Sequence, residues 1–181
     1  MIDSDMLAEW RPFFLMVAGG AASLTGLLFV ALSLHVREIA THPLYRYRAR
    51  LSLGCSMAIL VIACLILIPR QSALEIGVKE VFPLGAVLIL LVLGLFELRQ
   101  LADPRRGPYL IRTAVALVLV VVAVVGNILI ATGRSLGLQI LALCCVIFLV
   151  WLVFNAWALV IGLADATKEN NRVTPRGNSR E

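Results

Sequence analysis

The sequence predicts an all-α membrane protein in which five transmembrane helices form a compact bundle, and two observations predict this class. Of the 181 residues, 61% are hydrophobic and 15% are charged, whereas soluble domains contain about 25% charged residues. The sequence also holds five apolar runs, each near the length of about 20 residues that a helix needs to cross a bilayer. A soluble domain of this size has too little interior for so much apolar surface. Soluble enzymes, disordered proteins and secreted disulfide scaffolds are therefore excluded.

The predicted spans follow the apolar runs and the residues that begin or end helices. Prolines lie near the start of the first, third and fourth runs, where a missing backbone N–H costs least. The spans are predicted over residues 12–36, 49–68, 83–101, 108–132 and 136–164. Together they form a single transmembrane domain, residues 1–164. The polar residues 165–181 are predicted to be a disordered tail.

The segment before the third span has two interpretations. Ser72 and Glu75 have the spacing of a capping box, and Glu75 and Lys79 are spaced as a helical i, i+4 pair. Residues 72–81 therefore form either a separate interfacial helix or the first turns of a long third span that is kinked at Pro83.

The basic residues predict the orientation of the chain. Of the 16 lysine and arginine residues, 12 lie in loops 37–50 and 97–112 and in the tail, and 4 lie on the other side of the membrane. Basic loops stay in the cytoplasm. We therefore expect an outside N-terminus and a cytoplasmic C-terminus in the inner (plasma) membrane.

The first span carries a stripe of small residues at helical spacing. Helices in lipid associate where small residues let their backbones approach closely. We expect this face to pack at the centre of the bundle, and the alternative is an interface between copies of the chain. The stripe consists of Ala18, Ala22, Gly26 and Ser33.

Two amides are the main polar groups predicted within the later spans. Asn127 lies toward the outer end of the fourth span, and Asn155 lies well inside the fifth. Such side chains either hydrogen-bond between helices or line a polar path. We favour the first role, and we expect Asn155 to point into the bundle. At the inner end of the third span, Glu97 is expected to pair with Arg99 or to reach the membrane surface.

Alternating aromatic and cationic residues precede the second span. This pattern predicts an anchor for anionic lipid headgroups. Nucleic acid is rejected as a partner because the isoelectric point of 9.4 arises from charges at the cytoplasmic side of the membrane. The predicted headgroup residues are Tyr45, Arg46, Tyr47, Arg48 and Arg50.

No catalytic, cofactor or metal site is predicted. Hydrolase, zinc-protease and nucleotide-binding motifs are missing from the sequence. His35, Glu38 and His42 share one helical face, but Pro43 disfavours helix at His42, so solvated histidines are expected. The cysteines are predicted to be small apolar packing residues: Cys55, Cys64, Cys144 and Cys145.

Several short motifs resemble a family of small, largely uncharacterised bacterial multi-pass membrane proteins. The resemblance rests on TGLLFVA-S in the first span, PL-RA in the following loop, P-Q after the second span and NAW in the last span. The chain departs from the pattern at Arg70, where a small residue is expected before Gln71. The resemblance implies the multi-pass architecture and implies no activity.

These observations predict a non-catalytic protein that acts through helix–helix contacts. It would serve as a scaffold or regulator of a membrane partner, with self-association as one form of that role. The alternative is an oligomeric ion channel or small-solute transporter. A membrane-embedded enzyme is the third and least favoured hypothesis.

Overall fold

The computed structural model describes residues 4–41, 43–100 and 106–173. Within these residues the fold is entirely helical, and five of the six helices are long and apolar enough to cross a membrane. The predicted class, a multi-pass bundle of five transmembrane helices, is therefore confirmed. The helices are α1 (Ser4–Leu34), α2 (Val36–Thr41), α3 (Pro43–Leu67), α4 (Ala73–Gln100), α5 (Arg106–Ala131) and α6 (Leu136–Val173).

The third span is one long helix. α4 begins at Ala73 and continues through Pro83 without a break, so the interpretation of residues 72–81 as a separate helix is wrong. The predicted capping box forms: the backbone N–H of Ser72 donates to Glu75 Oε2 at 3.1 Å, and the backbone N–H of Glu75 donates to Ser72 Oγ at 3.3 Å. Proline is tolerated inside a membrane helix because neighbouring groups compensate for the missing hydrogen bond.

Other helix boundaries also extend beyond the predicted spans. Helix α1 begins at Ser4 rather than at residue 12 and contains Pro12, while α3 begins at Pro43 rather than at residue 49. Helix α6 runs to Val173, so the predicted disorder is wrong for residues 165–173, whose alanine, lysine and glutamate are good helix formers. Residues 174–181 lie outside the described part of the chain.

Helix α3 is the centre of the bundle. It packs against α1, α4 and α6, while α5 packs between α4 and α6. Helix α1 touches mainly α3 and so lies at the edge of the bundle. The end that carries Arg46, Arg50 and Arg99 is called the basic end here. The opposite end, with the turns at residues 68–72 and 132–135, is called the turn end.

Close backbone contacts join α4, α5 and α6 near the turn end. A Cβ atom at Gly137 of α6 would lie 2.5 Å from the carbonyl oxygen of Gly126 on α5. A Cβ atom at Gly77 of α4 would lie 2.6 Å from the Cβ atom of Ala131. Because no side chain fits at these points, the glycines let the three helices approach closely. Gly133, with φ 76°, makes the turn between α5 and α6.

Candidate functional site

The small-residue stripe of the first span does not pack inside the bundle. Of its four residues only Ala18 is buried, whereas Ala22, Gly26 and Ser33 are exposed. A Cβ atom added at Gly26 would meet nothing within 4 Å. The predicted intramolecular packing is therefore wrong at these three positions, because α1 turns a different face to α3. The alternative, an interface between copies, remains a prediction.

The face that α1 uses inside the chain lies on its other side. The buried residues of this face include Phe14, Val17 and Ala21. A polar contact fixes it: the hydroxyls of Thr25 and Ser56 of α3 are 2.6 Å apart. The side of α1 that faces away from the bundle is therefore exposed to the surrounding membrane.

The exposed side of α1 has a groove of small residues at its centre. The open α1 face is defined here by Gly19, Ala22, Ser23 and Gly26, all exposed. Added Cβ atoms at either glycine would meet nothing within 4 Å. Within the described residues the Ser23 hydroxyl has no hydrogen-bond partner, whereas Thr25 and Ser33 donate to carbonyls of their own helix at 2.7 Å. The groove therefore carries one free polar group near the middle of the span.

Two residues predicted to bind lipid headgroups lie inside the bundle. Tyr47 and Arg48 are 4% and 6% exposed, because α3 begins at Pro43 and places them on its buried face. The Tyr47 hydroxyl is 2.8 Å from Thr113 Oγ1 of α5. The Arg48 guanidinium donates to the carbonyl oxygen of Asn155 on α6 at 3.4 Å. The headgroup prediction is wrong for both, since they join helices instead.

The other predicted headgroup residues lie at or near the surface of the basic end. Arg46 is exposed and donates to the carbonyl oxygen of Ala40 at 2.8 Å, and Tyr45 is half-buried. Arg50 forms an exposed ion pair with Glu97, with an N–O distance of 2.8 Å. Glu97 is thus paired with a residue of α3 rather than with Arg99, as the sequence had suggested. Lipid binding by Tyr45, Arg46 and Arg50 remains a prediction.

The Asn155 amide bonds within its own helix. Its side-chain nitrogen donates to the carbonyl oxygen of Trp151 at 2.7 Å, and the residue is half-buried. Together with Tyr47 and Thr113 it borders a recess of about 20 Å³. Among the described residues the amide therefore makes no hydrogen bond to another helix, although the backbone carbonyl of Asn155 accepts from Arg48.

A second polar cluster lies near the turn end, between α4 and α5. Asn127 is 4% exposed, and its side-chain nitrogen donates to the carbonyl oxygen of Gly77 at 2.9 Å. This is the interhelical hydrogen bond that the sequence predicted for the Asn127 amide. One turn further along α4, Glu80 is completely buried. Among the described residues neither carboxyl oxygen of Glu80, nor Asn127 Oδ1, has a hydrogen-bond partner.

Glu80 was not predicted as a buried group because Pro83 indicated the start of a span. With that boundary the glutamate falls in an interfacial segment. The signal was present in the apolar spacing, which runs through the proline with Glu80 on the same face. That face comprises Ile76, Glu80, Leu84, Val87 and Leu91.

The described residues contain no group of three or more His, Cys, Asp or Glu side chains placed to hold a metal ion. Of the three residues at the end of the first span, His35 contacts the carbonyl oxygen of Ala31 at 3.0 Å through Nδ1. The side chain of Glu38 and all of His42 lie outside the described residues. Cys55, Cys144 and Cys145 are buried as predicted, and Cys64 is exposed.

No protein-family model matches the chain, and no curated protein or solved structure shows significant similarity to it. The resemblance to bacterial multi-pass proteins therefore stays a prediction.

Proposed function

We propose that the protein is a non-catalytic scaffold of the inner (plasma) membrane, and that it associates laterally through the open α1 face with a second copy of the chain. The observation that carries this proposal is that residues 4–41, 43–100 and 106–173 leave the Gly19–Gly26 groove uncovered. Lipid tails fill such a groove less closely than a helix does, and helices in membranes associate at small residues.

A second copy suits the open α1 face for geometric reasons. Two copies inserted with one topology are parallel, and small-xxx-small faces such as Ala22–Gly26 let two helices approach closely. Two-fold symmetry brings the same patch of both copies together. The Ser23 hydroxyl of each copy would then donate to the backbone that the glycines of the other leave uncovered. This would supply the partner that Ser23 lacks.

The interior of one chain favours a scaffold over a channel. Apart from Ser56, which bonds to Thr25 of α1, the buried polar groups form two separate clusters, one around Tyr47, Arg48, Ser52 and Thr113 and the other around Glu80 and Asn127. Between them lies a cavity of about 30 Å³ that is lined only by apolar and thiol-bearing side chains. A selective pore needs polar groups along its whole length. The channel alternative would therefore require a path formed between copies.

Counting subunits in liposomes tests the proposal. Protein labelled with one fluorophore per chain is reconstituted at low density, and photobleaching steps are counted for each spot. At low density two chains rarely coincide by chance, so chains that do not associate would bleach in one step. We expect mainly two-step traces. Single-step traces at every density, with folded protein, would contradict self-association.

A further inference from the structure

The buried carboxyl of Glu80 has no role in the proposed association. Helix α4 has 28 residues, which corresponds to a length of about 42 Å. Glu80 lies about 10 Å from the middle of this helix by the same rise per residue, so it is inside the ~30 Å hydrocarbon core of a bilayer centred on the helix. An ionisable residue at such a depth is a candidate functional group.

Near the turn end, acceptors on α4 and α5 are buried without matching donors. The two carboxyl oxygens of Glu80, and Asn127 Oδ1, are buried without partners among the described residues. The Asn127 side-chain nitrogen already donates to Gly77. Proline at position 83 has no N–H, so the carbonyl of Lys79 lacks its usual helical donor. A proton bound to Glu80 would give this cluster a donor.

No cation neutralises the carboxyl within the described residues. The ion pair that they form is Arg50–Glu97 at the basic end. On α4 itself, the charged neighbours Glu75 and Lys79 are exposed, and the Lys79 ammonium donates to Gln71 Oε1 at 2.7 Å. An ionised carboxylate is costly in an apolar interior unless it is paired or hydrated.

Within the membrane, the neighbouring helices add only thiols as titratable groups near Glu80. Helix α5 carries no charged residue after Arg112, and α3 carries only Cys55 and Cys64 as titratable groups after Arg50. Helix α6 contributes Cys144 and Cys145, and the Cys145 thiol is within electrostatic range of Glu80. None of these groups supplies a positive charge.

We propose that Glu80 is a proton-binding site that exchanges with water at the turn end. Hydronium transfers its proton to a carboxylate oxygen, an O–H bond forms, and water leaves. Asn127 Oδ1 accepts the hydrogen bond of the neutral acid. The carboxyl lies about 10 Å along the helix from Ala73, where α4 begins.

Reaction with dicyclohexylcarbodiimide tests this site, because this apolar reagent enters membranes and modifies protonated carboxyls. Intact protein in liposomes is labelled over a pH series, and the modified residues are located by mass spectrometry. We expect Glu80 to react at neutral pH. The rate should fall about tenfold for each pH unit above a midpoint, as for a single titrating group. Exposed, ion-paired Glu97 is the internal control and should react far less at neutral pH.

Two variants help to distinguish a site that binds and releases a proton from a buried carboxyl that is always neutral. Glu80→Gln replaces the carboxyl with a neutral amide of similar shape. This variant should lose the label at position 80 while the fold persists. Asn127→Leu removes the acceptor and should move the midpoint of Glu80 labelling to lower pH. Labelling of wild-type Glu80 that is absent, or constant from acidic to alkaline pH, would overturn the proposal. The wild-type measurement decides this even where a variant does not fold.

Discussion

Replacing Gly26 with leucine is expected to abolish self-association while leaving the fold intact. The glycine lies in the groove of the open α1 face, and a Cβ atom there meets no atom of the described residues within 4 Å. A leucine side chain would fill the groove and hold a second helix away. We expect at least a tenfold loss of association, which corresponds to about 1.4 kcal/mol. Energy transfer between labelled chains in liposomes, measured over a dilution series, gives this value.

Gly20→Leu is the matched control for this change. Gly20 is on the same helix, is exposed and is also free of contacts within 4 Å, but it lies about 100° around the helix from Gly19. Association should persist in this variant. In detergent, the free energy of unfolding of both variants should be within about 0.5 kcal/mol of the wild-type value, as is usual for surface substitutions. Marked unfolding of Gly26→Leu alone would show that the glycine is needed within the chain.

Replacing Gly77 with leucine is expected to have the opposite effect, a severe loss of stability. A Cβ atom at this position would lie 2.6 Å from the Cβ atom of Ala131 and 3.0 Å from its Cα atom. Helices α4 and α5 would have to separate, and the hydrogen bond from Asn127 to the Gly77 carbonyl would be lost. Overpacking typically costs 1–3 kcal/mol, and contact with backbone places this site at the upper end, about 3 kcal/mol. Reversible unfolding in mixed micelles measures the loss.

Gly85→Leu provides the comparison on the same helix. Gly85 is two turns further along α4, and a Cβ atom there meets nothing within 4 Å. Its replacement should change the free energy of unfolding by about 0.5 kcal/mol or less. Equal losses for the two variants would contradict the close approach of α4 and α5 at Gly77.

The number of spans was predictable because each apolar run is long and contains few charged residues. The faces that pack were harder to predict. Small residues indicate close approach without naming the partner, so the stripe through Gly26 gave no sign that α1 would turn it away from α3. Thr25, whose hydroxyl meets Ser56, lies next to Gly26 in the sequence but on the packed side. Only the three-dimensional arrangement separates these two faces.

The surroundings of several polar residues were predicted wrongly for a related reason: the helices begin earlier in the sequence than predicted. Tyr47 and Arg48 were expected in a loop, but α3 begins at Pro43 and carries them into the interior. There the Tyr47 ring lies where a side chain on Gly94 would otherwise be. Glu80 was hidden in the same way by Pro83. Proline near the edge of an apolar run favours a helix start, whereas a membrane bundle can contain it within a helix.

Disulfide cross-linking at Ser23 tests the central claim most directly. In a background without the four native cysteines, Ser23→Cys is compared with Val118→Cys, a position 62% exposed on α5. Both positions lie near the middle of a span, so copper phenanthroline should reach both. Association through the open α1 face predicts rapid formation of a covalent dimer from Ser23→Cys and little from Val118→Cys. Equal cross-linking of the two, or faster cross-linking at Val118→Cys, would contradict it.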